Sequence, residues 1–174
     1  MNIVLTGFMA SGKTEISKAI AEMSKYTLID TDELIVQKMN MTVNEIFDKY
    51  GEEYFRKIEQ EAVKEASKKE NAVIATGGGV VLNKQNVEVL RKTGRIFNLS
   101  PDFAVIKERL EEARKTRPLL KHDSIENIEK RFNDRKPFYD DCDYKIHIIN
   151  GRTPRSYALE ILEIMEKEPG GTQK

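Results

Sequence analysis

The sequence predicts an α/β chain whose parallel sheet carries helices on both faces. Three observations predict it: short apolar runs recur along the chain, helical patterns separate them, and cap signals mark where several helices begin. The first run, Asn2-Ile3-Val4-Leu5-Thr6, reads as a short buried strand, and the stretch 15–23 after it places Ile16, Ala19, Ile20 and Met23 at helical spacing. Further strand-like runs lie at 27–29, 72–75, 95–99 and 144–149. Thr42-Val43-Asn44-Glu45 is a capping box, while Ser100-Pro101 and Thr153-Pro154 each set a cap residue before a first-turn proline. Between 52 and 69 a helical pattern turns Phe55, Ile58, Ala62 and Ala66 inward, and in the last helix Ala158, Ile161, Leu162 and Met165 form one stripe.

The helical pattern that starts at Asp102 gives way at 111–124, a segment dense in Arg and Lys that holds Arg117-Pro118 and reads as a mobile lid. A single domain is expected over 1–168, and the tail 169–174 is expected to be disordered for want of an apolar anchor.

Of the 174 residues 39% are hydrophobic, enough for the core of one domain. Lys+Arg and Asp+Glu balance at 29 each, so no net field draws the protein to nucleic acid or to an anionic membrane, and a basic site must be local. The single cysteine, Cys142, excludes a disulfide framework. The chain enters its first strand at once, without room for a signal peptide, and no apolar run approaches the ~20 residues of a spanning helix, so a cytoplasmic protein is expected.

Residues 7–14, Gly-Phe-Met-Ala-Ser-Gly-Lys-Thr, satisfy every fixed position of the phosphate-binding pattern G-x-x-x-x-G-K-[ST], between a strand and a helix as that pattern requires. Glycines let consecutive amides turn toward one point, and the helix start adds unpaired N–H groups and a positive dipole end. A nucleoside triphosphate is therefore the first ligand to expect. Gly7, Ala10, Ser11 and Gly12 would form the cradle, Lys13 would reach the β- and γ-phosphates, and the Thr14 hydroxyl would be one ligand of Mg²⁺.

The acceptor is written elsewhere. Asp30-Thr31-Asp32 sits at the carboxyl end of the second strand, where parallel sheets bind ligands. Asp30 could hold the metal through water; Asp32 could accept a hydrogen bond from an acceptor hydroxyl, or could simply cap the next helix. Arg56 and Glu59 are i,i+3 neighbours on a helix, either a surface ion pair or an arginine oriented to grip a carboxylate in two places. Gly77, Gly78 and Gly79 follow the third strand and permit close backbone approach, unless they form a plain turn. Arg117 directly precedes a proline and Arg135 stands two residues before one, and each proline fixes the local chain.

In this order the elements at 7–14, 30–32, 51–59, 77–79, 117–120 and 135–139 resemble the shikimate kinases, small phosphate-loop kinases of the nucleoside monophosphate kinase type, from first strand to last helix. The resemblance implies a three-layer sandwich with a five-stranded parallel sheet in the order 2-3-1-4-5. It also implies transfer of the ATP γ-phosphoryl group to the 3-hydroxyl of shikimate, with Mg²⁺. No exposed apolar stripe stands out in the sequence, so a monomer is expected. Carried over at matching positions, Asp32 meets the shikimate hydroxyls, Arg56 and Arg135 grip its carboxylate, and Gly77, Gly78 and Gly79 line its ring. Phe47 and Phe55 form the apolar wall, Arg117 closes on the phosphates, and Arg152 with Pro154 lies on the adenine side. Arg109 and Arg114 both compete for an adenine-stacking position.

The chain departs from the family pattern at Ala10-Ser11, where Gly-Ala is common, at Glu15, where a small or apolar residue is usual, and at Ser17, where glycine is usual. Cys142 stands where alanine is common and should pack as a small hydrophobe. His122 and His147 match no functional position. A kinase for another polyol acid or for a nucleoside monophosphate would need different contacts after the second strand, and a regulatory module without catalysis would lack some of Lys13, Asp30, Asp32 and Arg117.

Overall fold

A computed structural model describes residues 1–116 and 123–169. Arg117, Pro118, Leu119, Leu120 and His122 lie outside the described residues, as does the tail beyond 169. The five strands are β1 (Asn2–Thr6), β2 (Thr27–Asp30), β3 (Ala72–Ala75), β4 (Gly94–Pro101) and β5 (Tyr144–Ile148). They form one parallel sheet in the order β2-β3-β1-β4-β5, as the family resemblance implied. Among the described residues the helices are α1 (Lys13–Met23), α2 (Thr31–Met39), α3 (Val43–Ser67), α4 (Lys84–Thr93), α5 (Phe103–Thr116), α6 (Ile125–Tyr139) and α7 (Pro154–Lys167).

β1 lies between β3 and β4, with Ile3 level with Val73 on one side and Arg95 on the other. Its five residues are all buried because both faces are covered, which is why its sequence is an apolar run and not an alternating one. Ile3 and Leu5 face α1 and α7 together with Phe97, Leu99, Ile146 and Ile148. Val4, Ile74 and Ile96 face the opposite way, against Val63, Leu90, Ile106 and Ile128. A third cluster of Ile35, Ile46, Phe55, Ile58 and Ala62 joins α2 to α3. Cys142 is half-buried at the margin of the second cluster, and burial pushes its thiol up. His147 is exposed on β5.

Local signals set most boundaries. The Thr42 capping box is complete, and Thr153 caps α7 with Pro154 at the first position. α3 bends at Gly51, whose φ of 82° and ψ of 172° are outside the helical region, so one limb carries Phe47 and the other Phe55, Arg56 and Glu59.

Two expectations need correction, and one open alternative is decided. Ser100-Pro101 does not open a helix: Pro101 is the last residue of β4, and the Asp102 carbonyl starts α5 by accepting from Val105 at 3.0 Å. A proline can end a strand because it owes no further ladder bond there. The helical pattern does not fail at 111 but continues in α5 to Thr116, its basic Arg114 and Lys115 well placed at the negative end of the helix dipole. The expected lid thus begins within a helix, continues through residues outside the described set, and ends at Ser124, the cap of α6. Nor is Asp32 the cap of α2. Asp30 is, its Oδ1 accepting from the N–H groups of Asp32 at 2.8 Å and Glu33 at 3.2 Å.

The capping box is expected to contribute measurably, since it satisfies two backbone donors at the entry to the limb that carries Phe47. Thr42→Ala should lower unfolding free energy by about 1 kcal/mol, read as a lower urea midpoint at unchanged slope; an unchanged midpoint would show that the box is redundant.

Candidate active site: two clefts meeting at Lys13

The phosphate loop leaves β1 and enters α1 at Gly12, which has φ 101° and supplies no side chain to cap the helix. The first N–H groups of α1 are thus left without a side-chain partner and face a prospective anion. Ala10 has φ 59°, a left-handed conformation that costs an alanine roughly 1 kcal/mol relative to glycine. Its departure from glycine is therefore paid in backbone strain and not in lost amides. Ser17, another departure in this region, is buried and bonds its hydroxyl to the Thr14 carbonyl at 2.9 Å. Lys13 Nζ donates to the carbonyls of Gly7 at 2.5 Å and Phe8 at 3.0 Å. Burial pulls its pKa down to about 8, against the opposing pull of Asp32 and Asp30.

On one side of Lys13 opens a cleft of about 440 Å³, lined by residues 10–16 and by Arg109, Ile148, Arg152, Pro154 and Tyr157. Arg109 donates to the Ala10 carbonyl at 2.8 Å, whereas Arg114 turns away and bonds the Asp123 carbonyl. Of the two competing arginines, only Arg109 therefore reaches this cleft. Arg152 is fixed from three directions: Ser156 Oγ at 2.8 Å, Glu160 at 2.6 Å, and the Tyr157 ring 4.2 Å from its guanidinium carbon. Tyr157 had no sequence signal beyond a place on the buried face of α7, yet its hydroxyl holds both the N–H and the carbonyl of Ile149.

On the other side lies a second cleft of about 400 Å³. It brings together Lys13, Thr14, Asp30, Asp32, Phe47, Phe55, Arg56, Glu59, Gly77, Gly78, Gly79 and Arg135, from β2, β3, α1, α2, α3 and α6. Every acceptor-side residue singled out in the sequence is here. Arg152 and Pro154 lie on the other cleft, and Arg117 is outside the described residues.

The glycines are explained by what a Cβ would strike. At Gly77 it would come within 2.6 Å of Asp32 Oδ1, and at Gly79 it would overlap the Arg56 guanidinium. Two charged side chains are thus laid directly on the backbone. Arg56 donates to Glu59 Oε1 at 2.9 Å and lies over the Phe55 and Phe47 rings, at 5.5 and 5.9 Å from their centroids. Glu59 is only 2% exposed, so this is not the surface ion pair that its spacing also allowed. Burial pushes the carboxyl groups of Glu59 and Asp32 up; Asp30 adds to the rise at Asp32, while Lys13 and Arg56 oppose it. Met9 and Val43 also line this cleft, without a sequence signal to mark them.

Known proteins resemble this chain in both sequence and fold. The family model described as shikimate kinase matches residues 9–166. A shikimate kinase of Caldicellulosiruptor bescii is 47% identical over 164 residues, covering 94% of each chain. A solved shikimate kinase of Acinetobacter baumannii in complex with shikimate superposes with a TM-score of 0.84 at 31% identity, covering 94% of this chain and 92% of that one. Shikimate kinase of Bacteroides thetaiotaomicron gives 0.86 at 32% identity, over 95% and 98%.

Because Glu59 is buried against a single strong partner, its pairing can be measured without any ligand. Arg56→Ala should destabilise the fold by about 2–3 kcal/mol by leaving an uncompensated carboxylate, and adding Glu59→Gln should recover part of the loss. The Glu59 pKa is already raised, so the folded state holds its proton more tightly than the unfolded chain does. Acidification should therefore narrow the deficit of Arg56→Ala, and a deficit that widens on acidification would contradict this account.

Proposed function

The chain belongs to the shikimate kinase family, and on that premise we propose how its residues divide the transfer of the ATP γ-phosphoryl group to the 3-hydroxyl of shikimate. ATP takes the cleft of Arg109, Arg152 and Pro154, with its base between Arg109 and Pro154 and its phosphates on the amides of residues 10–14. Shikimate takes the cleft of Asp32, Phe47, Phe55 and the glycine turn, its carboxylate held by Arg56 and Arg135. Support comes above all from that second cleft, whose lining gathers the Asp32 carboxylate and the guanidinium groups of Arg56 and Arg135 around one space with the phosphate-loop lysine.

Phosphoryl transfer through a loose transition state asks the protein mainly to align reactants and offset charge. Lys13 would exchange two neutral carbonyl partners for phosphate oxygens, keeping its positive charge beside the transferring group. Asp32 would accept the hydrogen bond of the 3-hydroxyl and, with its pKa raised by burial, would take its proton late. Glu59 would hold Arg56 in the orientation that permits a two-point grip. Arg117 is proposed to close on the phosphates, and the 111–124 segment to exclude water.

The residues present fit Mg²⁺. Thr14 and Asp30 both offer hard oxygens to this cleft, and they would hold the ion, Thr14 directly and Asp30 through water. Among the described residues no cluster of His, Cys, Asp and Glu could hold a metal alone, consistent with an ion held largely by substrate phosphates. When bound, the ion would neutralise charge on the β- and γ-phosphates. We further propose a cytoplasmic monomer, as the sequence suggested; separately, among the described residues no helix is long and apolar enough to cross a membrane.

A coupled assay for ADP, run with and without shikimate, tests the assignment directly, and ADP release that ignores shikimate would refute it. In that assay Asp32→Asn should keep the ATP KM and lose roughly a hundredfold or more in kcat; a near-normal kcat would remove Asp32 from the chemistry.

The lysine gives a pH signature. Its protonated form is the one that binds phosphate, so kcat/KM for ATP should fall as pH rises through about 8, the pKa in the free enzyme. Bound triphosphate favours the ammonium, so kcat should hold to higher pH. A kcat/KM for ATP that stays flat well above that pH would count against Lys13 as the phosphate contact.

A further inference from the structure

The glycine turn that floors the acceptor cleft has no side chains with which to pack, so its position must be set through its backbone. Its entry is tied to β1, where Thr76 donates to the Leu5 carbonyl from both N–H and hydroxyl. Its exit closes on itself through the Val80 N–H and the Gly77 carbonyl, 3.1 Å apart. Between those points two groups reach out to hydroxyls. The Gly77 N–H donates to Thr31 Oγ1 at 2.9 Å, and Tyr139 Oη donates to the Gly78 carbonyl at 2.5 Å.

Each hydroxyl belongs to an element that also presents a substrate-gripping residue. Thr31 precedes Asp32 at the start of α2; Tyr139 lies one turn beyond Arg135 at the end of α6. Thr31 is wholly buried and Tyr139 only 5% exposed, so neither bond is shared with bulk water. The Tyr139 ring meets Phe8 of the phosphate loop edge-on at 6.4 Å, and Phe8 gives its carbonyl to Lys13. Phenylalanine at 139 could keep that ring contact while leaving the Gly78 carbonyl without its donor. Packing and hydroxyl are therefore separable contributions.

We infer that Thr31 and Tyr139 are positioning residues that clamp the glycine turn from opposite sides and so set the span between Asp32 and Arg135. That span is the length over which an acceptor is held with its hydroxyl at one end and its carboxylate at the other. The inference rests on the acceptor assignment made above. A buried carbonyl or N–H left unpaired shifts until it finds a partner, and here the shift moves Asp32 or Arg135 with it.

The test is full two-substrate kinetics and thermal unfolding on Tyr139→Phe, Thr31→Val and Thr31→Ser, with Arg135→Lys as control. Tyr139→Phe and Thr31→Val should each raise the shikimate KM by ~10-fold or more while the ATP KM stays within about twofold, and Thr31→Ser should restore most of the loss. If Arg135→Lys weakens shikimate but the two hydroxyl deletions leave its KM within about twofold, the clamp is refuted and the acceptor assignment stands. If both KM values rise together as the melting temperature falls, the hydroxyls serve the fold only, which also refutes it. If Arg135→Lys itself leaves the shikimate KM unchanged, the acceptor assignment fails and takes the clamp with it.

Discussion

The constraint on which the rest of this structure depends is the double burial of β1. Ile3, Val4 and Leu5 are fully buried, hydrogen-bonded to strands on both sides and packed by helices on both faces. A strand so enclosed can release its chain only at the carboxyl edge, beside the point where the connections switch from the β3 side of the sheet to the β4 side. The phosphate loop leaves there, and the parallel arrangement delivers the ends of β2 and β3 to the same edge. Asp30, Asp32 and the glycine turn therefore meet Lys13 without any long loop to bring them together. The sheet supplies convergence, and the residues at its edge supply chemistry.

Convergence alone would leave the acceptor cleft too open to orient anything. What narrows it is the removal of Cβ atoms at Gly77 and Gly79, which lets Asp32 and Arg56 lie against the backbone. Glu59 completes the arrangement from below. A carboxylate 2% exposed would be costly alone, and it is tolerated because Arg56 is held beside it by distance and by two aromatic faces. The bend at Gly51 serves the same end by letting Phe47 and Phe55, on separate limbs of α3, come within 4.4 Å of each other. Stability and orientation are thus drawn from the same few contacts.

The parts legible in the sequence were those written in neighbouring residues. The strands of the sheet, the capping box at Thr42, the Thr153-Pro154 start and the phosphate loop all depend on spacing within a few positions, and each lies where its pattern indicated. What was misread or left open lay where two local signals competed or where packing decides. Ser100-Pro101 has the form of a helix start, but the pairing of β4 with β5 carries the strand through Pro101, level with Ile148. Asp30 and Asp32 could both cap α2, and only the direction of the chain leaving β2 selects Asp30. Arg109 and Arg114 stand about 140° apart around a helix, so one of them had to face away from the loop; which one depends on how α5 docks, a tertiary fact. Arg56 and Glu59 were visible as a pair, but the burial that separates an oriented arginine from a surface ion pair comes from the packing of α3.

The same packing bears on how charge is balanced at the seam between the clefts. The acceptor cleft is lined by three carboxylates, Asp30, Asp32 and Glu59, and by three cations, Lys13, Arg56 and Arg135. Formal neutrality is what allows six ionisable groups to be gathered in one partly buried space, since unpaired charge there would shift or neutralise itself. It also means that an acceptor carboxylate finds the Arg56 guanidinium already engaged with Glu59. Affinity must then come from exchange. Arg56 can keep Glu59 on one nitrogen while offering others, because its planar fork carries five donors, which a lysine could not do. Lys13 is in the complementary position: its present partners are neutral carbonyls, whereas phosphate oxygens carry negative charge and would add Coulombic attraction to the same hydrogen bonds. The ammonium is held close to where it would act by bonds weak enough to be traded. Burial that lowers its pKa in the free protein therefore does not disable it, because the ligand that needs the charge is the one that restores it.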